Sequence, residues 1–286
     1  MNEYIIFTDS GCDLSPALLA QWNVDSCSLS FLFDGEESVY GNNDMSPAEF
    51  YAQMRSGKLA KTAAVNPEAF AEKFEAHLKQ GRDILYLGFS GTLSTTYNSA
   101  VIAASELAEA YPDRKIITVD TLSASAGEAL LIYLTLQEKE KGATIEEAAQ
   151  FAEQTKPQIC QWFTTDTLTY LKRGGRISAA SAVFGNMLDI RPVLHVDAEG
   201  GLSNVKKVRG RKASIQELSS RVVRTAAENS PVFISHADCE ADAEALAQMI
   251  FRQTGLETQI ITHVGPVIGA HAGPGTLALF FVGSER

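Results

Sequence analysis

The sequence predicts an α/β protein of two domains: an N-terminal, mostly parallel sheet with helices on both faces, then a second α/β domain. Three observations carry this reading. Apolar strand-like runs alternate with helical patterns up to about Pro157, the mark of β-α-β units. Past that point the order changes and includes a hairpin signal. The length of 286 residues suits one large domain or two ordinary ones.

The elements follow in order along the chain. Tyr4 to Phe7 is a short apolar run, and Ser15-Pro16 after it makes a helix cap and first turn. Ser28 to Phe33 alternates as a strand does. Ser46-Pro47 and Asn66-Pro67 each open a helix by the same cap-then-proline rule. Ile84 to Phe89 reads as a buried strand, Tyr97 to Ala110 as a helix, Ile116 to Val119 as a strand and Ser123 to Lys141 as a helix. Thr144 with Glu147 forms a capping box for a helix to about Gln154. Ile159 to Thr164 is a strand, followed by two short helical stretches around Gly174-Gly175. Pro192 to Val196 and Leu202 to Val208 flank Glu199-Gly200-Gly201 as a hairpin would. Helices at Lys212 to Glu228 and Cys239 to Gln253 alternate with strands at Val232 to Ser235 and Thr258 to Thr262, Gly255 ending the second helix. Leu277 to Val282 is the last strand. The change of pattern sets a boundary near residue 160, giving domains of residues 1–160 and 161–286 with a ligand site between them.

Composition excludes several classes. An apolar fraction of 45% and a charged fraction of 21% belong to a globular chain, not a disordered or fibrous one. The net charge of −11 makes a poor general binder of nucleic acid or anionic membrane. The four cysteines have no metal spacing, the start has no export signal and no apolar run is long enough to span a bilayer, so a cytoplasmic protein with no integral membrane segment is expected. The average conceals a split, however. Leu171 to Lys212 holds nine basic and three acidic side chains, net +6, which leaves −17 for the remainder. Such a segment suits a phosphate or an acidic partner, unless folding disperses its charges.

Four stretches could carry chemistry. Thr8-Asp9-Ser10 with Asp13 follows the first strand, at the carboxyl end where α/β sheets collect ligands, or serves only as a cap and Asx-turn. Ser90 to Tyr97 (SGTLSTTY) is dense in hydroxyls ahead of a helix, which suits an anion, or merely over-caps that helix. Tyr170 to Ser178 (YLKRGGRIS) sets cations on both sides of two glycines. His271 precedes a Gly-Pro-Gly turn. No phosphate loop, GxGxxG, GxSxG elbow or HExxH is present.

Taken together, these stretches resemble the DegV family over nearly the whole chain. The resemblance rests on FTDSGCDLSP at the start, KTAAVNPEAF from Lys61, FSGTLSTTYNSA from Phe89, TLTYLKRGGRIS from Thr167, RPVLHVDAEGGL from Arg191, KKVRGRKA from Lys206 and HAGPGTLAL from His271, in that order. It implies a two-domain α/β protein that holds a long-chain fatty acid and presents its carboxylate to a separate ATP-dependent fatty acid kinase subunit. The resulting acyl phosphate would feed phospholipid synthesis, with no cofactor or catalytic residue in this chain. By the same resemblance Thr62, Ser94, Thr95 and His271 bind the carboxylate. Arg176, Arg209 and His271 serve phosphotransfer or partner docking, and Asp9 and Ser10 belong to a motif at the domain junction. The chain departs from the family's usual pattern with Gly91 in place of Ser and Thr95 in place of Gly. Two other readings stand beside it: a stand-alone phosphatase or acyl-transfer enzyme using His271 and Asp9, and a lipid-sensing regulator.

Overall fold

The computed structural model describes residues 3–177 and 189–286. The second short helical stretch expected after Gly175, opening near Ser178, lies outside the described residues. Strands β1 (Tyr4–Asp9), β2 (Val24–Cys27), β6 (Asp83–Gly88) and β7 (Ile116–Asp120) form an all-parallel sheet in the order β2-β1-β6-β7. Strands β1 and β6 are buried throughout, as continuous apolar runs covered on both faces should be. Successive side chains alternate between the faces. Ile5, Phe7, Ile84 and Tyr86 point to one core, with Phe70 and Phe74 of α3 (Pro67–Leu78) and Ala100 and Ala103 of α4 (Thr96–Ala110). Ile6, Leu85 and Leu87 point to the other, with α5 (Ala126–Glu140) and α6 (Ile145–Thr155).

The cap signals form as expected. Ser15 opens α1 (Pro16–Gln21) by accepting from the Leu18 N–H, and Asn66 opens α3 by accepting from the Ala69 N–H. Full capping boxes join Ser46 to Glu49 at α2 (Pro47–Arg55) and Thr144 to Glu147 at α6.

Two further sheets complete the chain. Strands β3 (Ser30–Phe33), β4 (Tyr40–Gly41) and β5 (Ala60–Ala63) make a small antiparallel sheet in the order β4-β3-β5. The second large sheet runs β10-β9-β8-β13-β11-β12. It is built from β8 (Ile159–Thr164), β9 (Ile190–Val196), β10 (Leu202–Arg209), β11 (Val232–His236), β12 (Thr258–His263) and β13 (Leu277–Val282). Only β11 and β12 pair in parallel, and β9 and β10 form the expected hairpin. Helices α8 (Arg211–Thr225) and α9 (Glu240–Thr254) cover one face, and α9 ends on Gly255 in the left-handed conformation at φ +76°.

Two helices cross between these bodies. Ala126 to Ile132 of α5 are all buried, because the helix lies between the parallel sheet and strands β8, β11 and β13. Helix α10 (Pro266–Ala272) reaches back to pack on α2, β3 and β5, and on the short α7 (Thr169–Arg173). Strands β2 and β5 and helix α10 have no clear signal in the sequence, since β2 and β5 are four-residue segments without a strong apolar run. Helix α10 has only seven residues and includes a glycine.

Glu128 of α5 sits fully buried against β1. Thr8 Oγ1 lies 2.9 Å from the Leu87 carbonyl oxygen and 2.7 Å from Glu128 Oε1. One hydroxyl hydrogen cannot serve both acceptors. A protonated Glu128 donating from Oε1 to Thr8, with Thr8 donating to Leu87, gives each of these two contacts its own hydrogen. Burial and the nearby Asp9 carboxylate push the Glu128 pKa well up in the same direction. A folded-state pKa above the unfolded value means stability is lost as pH rises past the unfolded value. Glu128→Gln supplies the donor without the proton equilibrium. Its melting temperature relative to the parent should therefore rise steadily between pH 5 and pH 8, and a pH-independent difference would contradict this account.

Candidate functional site

A cavity of about 650 Å³ lies where the parallel sheet, the β9–β10 hairpin, β8, β11, β13 and α10 meet. Its size is in the range of small-molecule sites, roughly 300–1,000 Å³. Most of the wall is apolar, with Leu29, Phe89, Phe163, Val264, Val267 and Phe280 prominent. Thr62, Ser94, Thr95, Arg176 and His271 supply a polar cluster, and the cavity meets solvent beside them at Gly91, Thr92 and Thr95. Ala278 and Phe280 lie at the buried end.

Each polar group is positioned by its local structure. Thr62 stands on β5 opposite Phe31. His271 stands on the last turn of α10, which Gly265 and Pro266 open and Gly273 ends at φ +85°. The Gly-Pro-Gly segment therefore follows a helix that carries the histidine; His271 is not itself a loop residue. Thr62 Oγ1 and His271 Nε2 are 2.8 Å apart. Burial, with Arg176 close by, lowers the His271 pKa to about 4, so the ring is neutral at ordinary pH. Its Nδ1 is buried and has no partner among the described residues. A bare acceptor there costs less than a bare donor, which places the proton on Nε2, donating to Thr62. The Thr62 hydroxyl hydrogen is then free to donate into the cavity.

Arg176 follows the turn at Gly174-Gly175. Its Nε donates to the Leu93 carbonyl at 3.1 Å and its Nη1 to the Gly174 carbonyl at 2.5 Å. Among the described residues no carboxylate pairs with it. Partial burial lowers its pKa. A fixed, half-buried guanidinium without a counter-charge, beside hydroxyl donors, is a site for an anion. Ser94 Oγ accepts from the Thr96 N–H at 3.2 Å and lies 2.9 Å from the Thr96 hydroxyl, which fixes it at the start of α4. Thr95 has φ −73°, an ordinary value for a side-chain-bearing residue. Gly91 donates its N–H to Asp120 Oδ2 at 3.1 Å, and a Cβ there would come within 2.8 Å of that oxygen.

The other sequence candidates lie elsewhere. Asp9 is buried and saturated: Oδ1 accepts from the Gly11 N–H, and Oδ2 accepts from the Tyr86 hydroxyl at 2.6 Å and the Phe89 N–H at 3.0 Å. Ser10 Oγ accepts from the Leu29 N–H. Neither residue lines the cavity, so the structure does not bring His271 and Asp9 together there. Asp13 is also buried, and burial raises its pKa to about 7. Arg209 is exposed at the end of β10, opposite Ile190, and is not on the wall. The basic segment largely disperses: Arg191 pairs with Asp166, Lys206 with Glu217 and Arg211 with Asp242. The deep wall on β8, β11 and β13 was missed in the sequence, because strand residues facing a cavity are as apolar as those facing a core.

A family model described as "Uncharacterised protein, DegV family" matches residues 4–284. The chain belongs to the DegV family. A DegV domain-containing protein of Clostridium perfringens is 42% identical over 291 residues, covering 100% of this chain and 99% of the relative. Two solved structures share the fold with a bound-lipid description. A stearic acid-binding protein from Eubacterium ventriosum has 26% identity and a TM-score of 0.89, over 98% of both chains. A DegV protein from Thermus thermophilus, described by its fatty acid binding, has 28% identity and a TM-score of 0.87, over 99% of this chain and 100% of the other. Among the described residues of this DegV protein, no helix is long and apolar enough to cross a membrane, and no group of three or more His, Cys, Asp or Glu side chains is placed to hold a metal ion.

Gly174 is needed by this DegV protein for space and not for backbone freedom. Its conformation is ordinary, at φ −69°, but an added Cβ would fall 2.1 Å from His271 Nδ1. Gly174→Ala must displace the imidazole and should cost about 1–3 kcal/mol in denaturant unfolding. It should also raise the His271 pKa measured by NMR as the ring gains solvent. An unshifted His271 titration would show that the ring does not press on Gly174. The sign for stability follows from the depressed value. Neutral His271 costs nothing above pH 6.5 and costs stability as pH falls from there toward about 4.

Proposed function

We propose that the protein binds a long-chain fatty acid, with the chain in the apolar cavity and the carboxylate at Thr62, Ser94, Thr95 and His271 beside Arg176. We further propose that it presents this carboxylate to a separate ATP-dependent fatty acid kinase subunit and performs no catalysis itself, needing no cofactor. One observation carries the reading: an apolar cavity ends in a hydroxyl cluster around a guanidinium that has no carboxylate partner among the described residues. The fatty acids bound by its structural relatives support it.

The energetics agree with this assignment. Burying an acyl chain gives about 0.8 kcal/mol per methylene, so ~12 kcal/mol for ~15 methylenes before ordering costs. Affinity then comes from the tail. The head group needs only enough donors to avoid a buried, unpaired charge. The Thr62 and Ser94 hydroxyls and Arg176 provide them, and the solvent-facing side at Thr95 leaves an oxygen open to a phosphoryl donor. Arg209, exposed and off the cavity wall, is the residue we assign to docking the kinase. Residues 1–160 and 161–286 supply the two walls.

Native mass spectrometry of protein from bacterial cells should show a bound acid of about 250–300 Da, the mass of a chain with the ~15 methylenes assumed above. A clean apo mass, with no uptake of added palmitate or oleate, would refute the reading. Ser94→Ala removes a charge-assisted hydrogen bond and should weaken retention by about 10- to 100-fold. Arg209→Ala should lower acyl phosphate formation with a cognate kinase and ATP while lipid retention stays intact. Equal loss of both in Arg209→Ala would sink the assignment of docking to that residue.

A further inference from the structure

Deep in the cavity, among apolar groups, two serine hydroxyls sit together. Ser125, just ahead of α5, and Ser235, on β11, both line the wall, and their Oγ atoms are 2.9 Å apart. Ser125 Oγ is 2.6 Å from Asp13 Oδ2, whose other oxygen accepts from the Gly265 N–H at 3.0 Å. The three groups form a hydrogen-bonded chain that ends on Ser235. When Asp13 is ionised, Ser125 donates to it and Ser235 donates to Ser125, which leaves lone pairs on Ser235 facing the cavity. When Asp13 is protonated the chain runs the other way, and Ser235 has a hydrogen to spare. In both states Ser235 is left with hydrogen-bonding capacity that no group among the described residues uses.

The other polar groups on this wall are saturated. Gln161 donates to the Leu122 carbonyl and to Ser123 Oγ, and accepts from the Ala124 N–H. The Thr276 hydroxyl is enclosed by the Ala272 and Gly273 carbonyls and Thr165 Oγ1. A plain acyl chain against Ser235 would strip water from it and return nothing.

The position along the chain can also be read. Ser235 pairs with Ala278, and Ala278 pairs with Phe163. The next row on that face is Phe280 with Gln161, on which Gly127 of α5 packs closely. Two strand residues advance about 7 Å. The Ser235 row therefore lies about 7 Å short of that closed row, part-way along any chain that reaches it.

We propose that the ligand class of this cavity includes long-chain acids bearing a hydroxyl group part-way along the chain, with that hydroxyl bonded to Ser235. A hydroxyl both donates and accepts, so it fits either direction of the Asp13–Ser125–Ser235 chain; a keto group fits only one. The inference rests on the fatty-acid reading above and adds the substituent.

The test is displacement of a fluorescent long-chain acid by stearic acid and by a series of monohydroxystearic acids with the hydroxyl at successive positions. A narrow group of mid-chain isomers should bind about fivefold tighter than stearic acid, the worth of one net neutral hydrogen bond. Ser235→Ala and Ser125→Ala should each bring those isomers level with, or below, stearic acid. If stearic acid displaces the probe and no isomer exceeds it, or if the preference survives in both variants, the hydroxyl site is wrong and fatty-acid binding stands. If stearic acid itself fails to displace the probe, both readings fall.

Discussion

Asp13 is the contact on which the arrangement of the two large sheets depends. It follows the first parallel strand, in a left-handed conformation at φ +54° that aspartate tolerates better than most residues. Its carboxylate accepts from Ser125 ahead of α5 and from the Gly265 N–H ahead of α10, and its own carbonyl accepts from the Thr262 hydroxyl on β12. One residue thus fixes the start of the buried helix and the loop that returns from the second sheet. Both helices that cross between the sheets are anchored at this point. The cavity is the space left between elements held apart by these bonds, with α5 on one side and α10 on another.

The same junction concentrates buried acid. Asp9, Asp13 and Glu128 are all within the core, and burial raises the pKa of each. Asp9 and Asp13 are held by backbone N–H and hydroxyl donors; Glu128 makes better use of its neutral form against Thr8. On the cavity wall the electrostatics differ, with a neutral imidazole and a fixed guanidinium that has no carboxylate partner among the described residues. An anion in the cavity is thereby directed to the guanidinium end, because among the described residues the rest of the wall carries apolar and neutral polar side chains. This polarity, more than any single contact, orients a ligand that has one charged terminus.

The apolar sides of the site are generic and the polar ones are not. Phe163, Ala278 and Phe280 follow the alternation of any strand facing a core. The hydroxyl density of Ser90 to Thr96 and the doubled glycine at Gly174-Gly175 are unusual, and both lie on the cavity: the first sets Ser94 at a helix start, and the second leaves room for His271 and turns Arg176 inward. The basic stretch from Leu171 to Lys212 was a weaker guide. Charge density in sequence does not survive folding when neighbouring strands and helices carry acids, as Glu217 and Asp242 do here.

By itself the sequence determined the helices that open on Ser-Pro and Asn-Pro, the capping box at Thr144 and Glu147, the buried strands of the parallel sheet and the β9–β10 hairpin, and it marked Thr62, Ser94, Thr95, Arg176 and His271, which the structure places on one cavity wall. These are local matters: a cap or an alternation is settled within a few residues, and an ordered set of motifs identifies a family. Tertiary structure alone decided that Thr62 meets His271 across 209 positions of chain, that among the described residues Arg176 has no carboxylate partner while Arg191 and Arg211 do, and that Ser125 and Ser235 share a hydrogen bond. Such pairings depend on how α5 and α10 cross between sheets. That crossing is fixed by packing between segments remote in sequence, for which no local pattern of residues carries a signal.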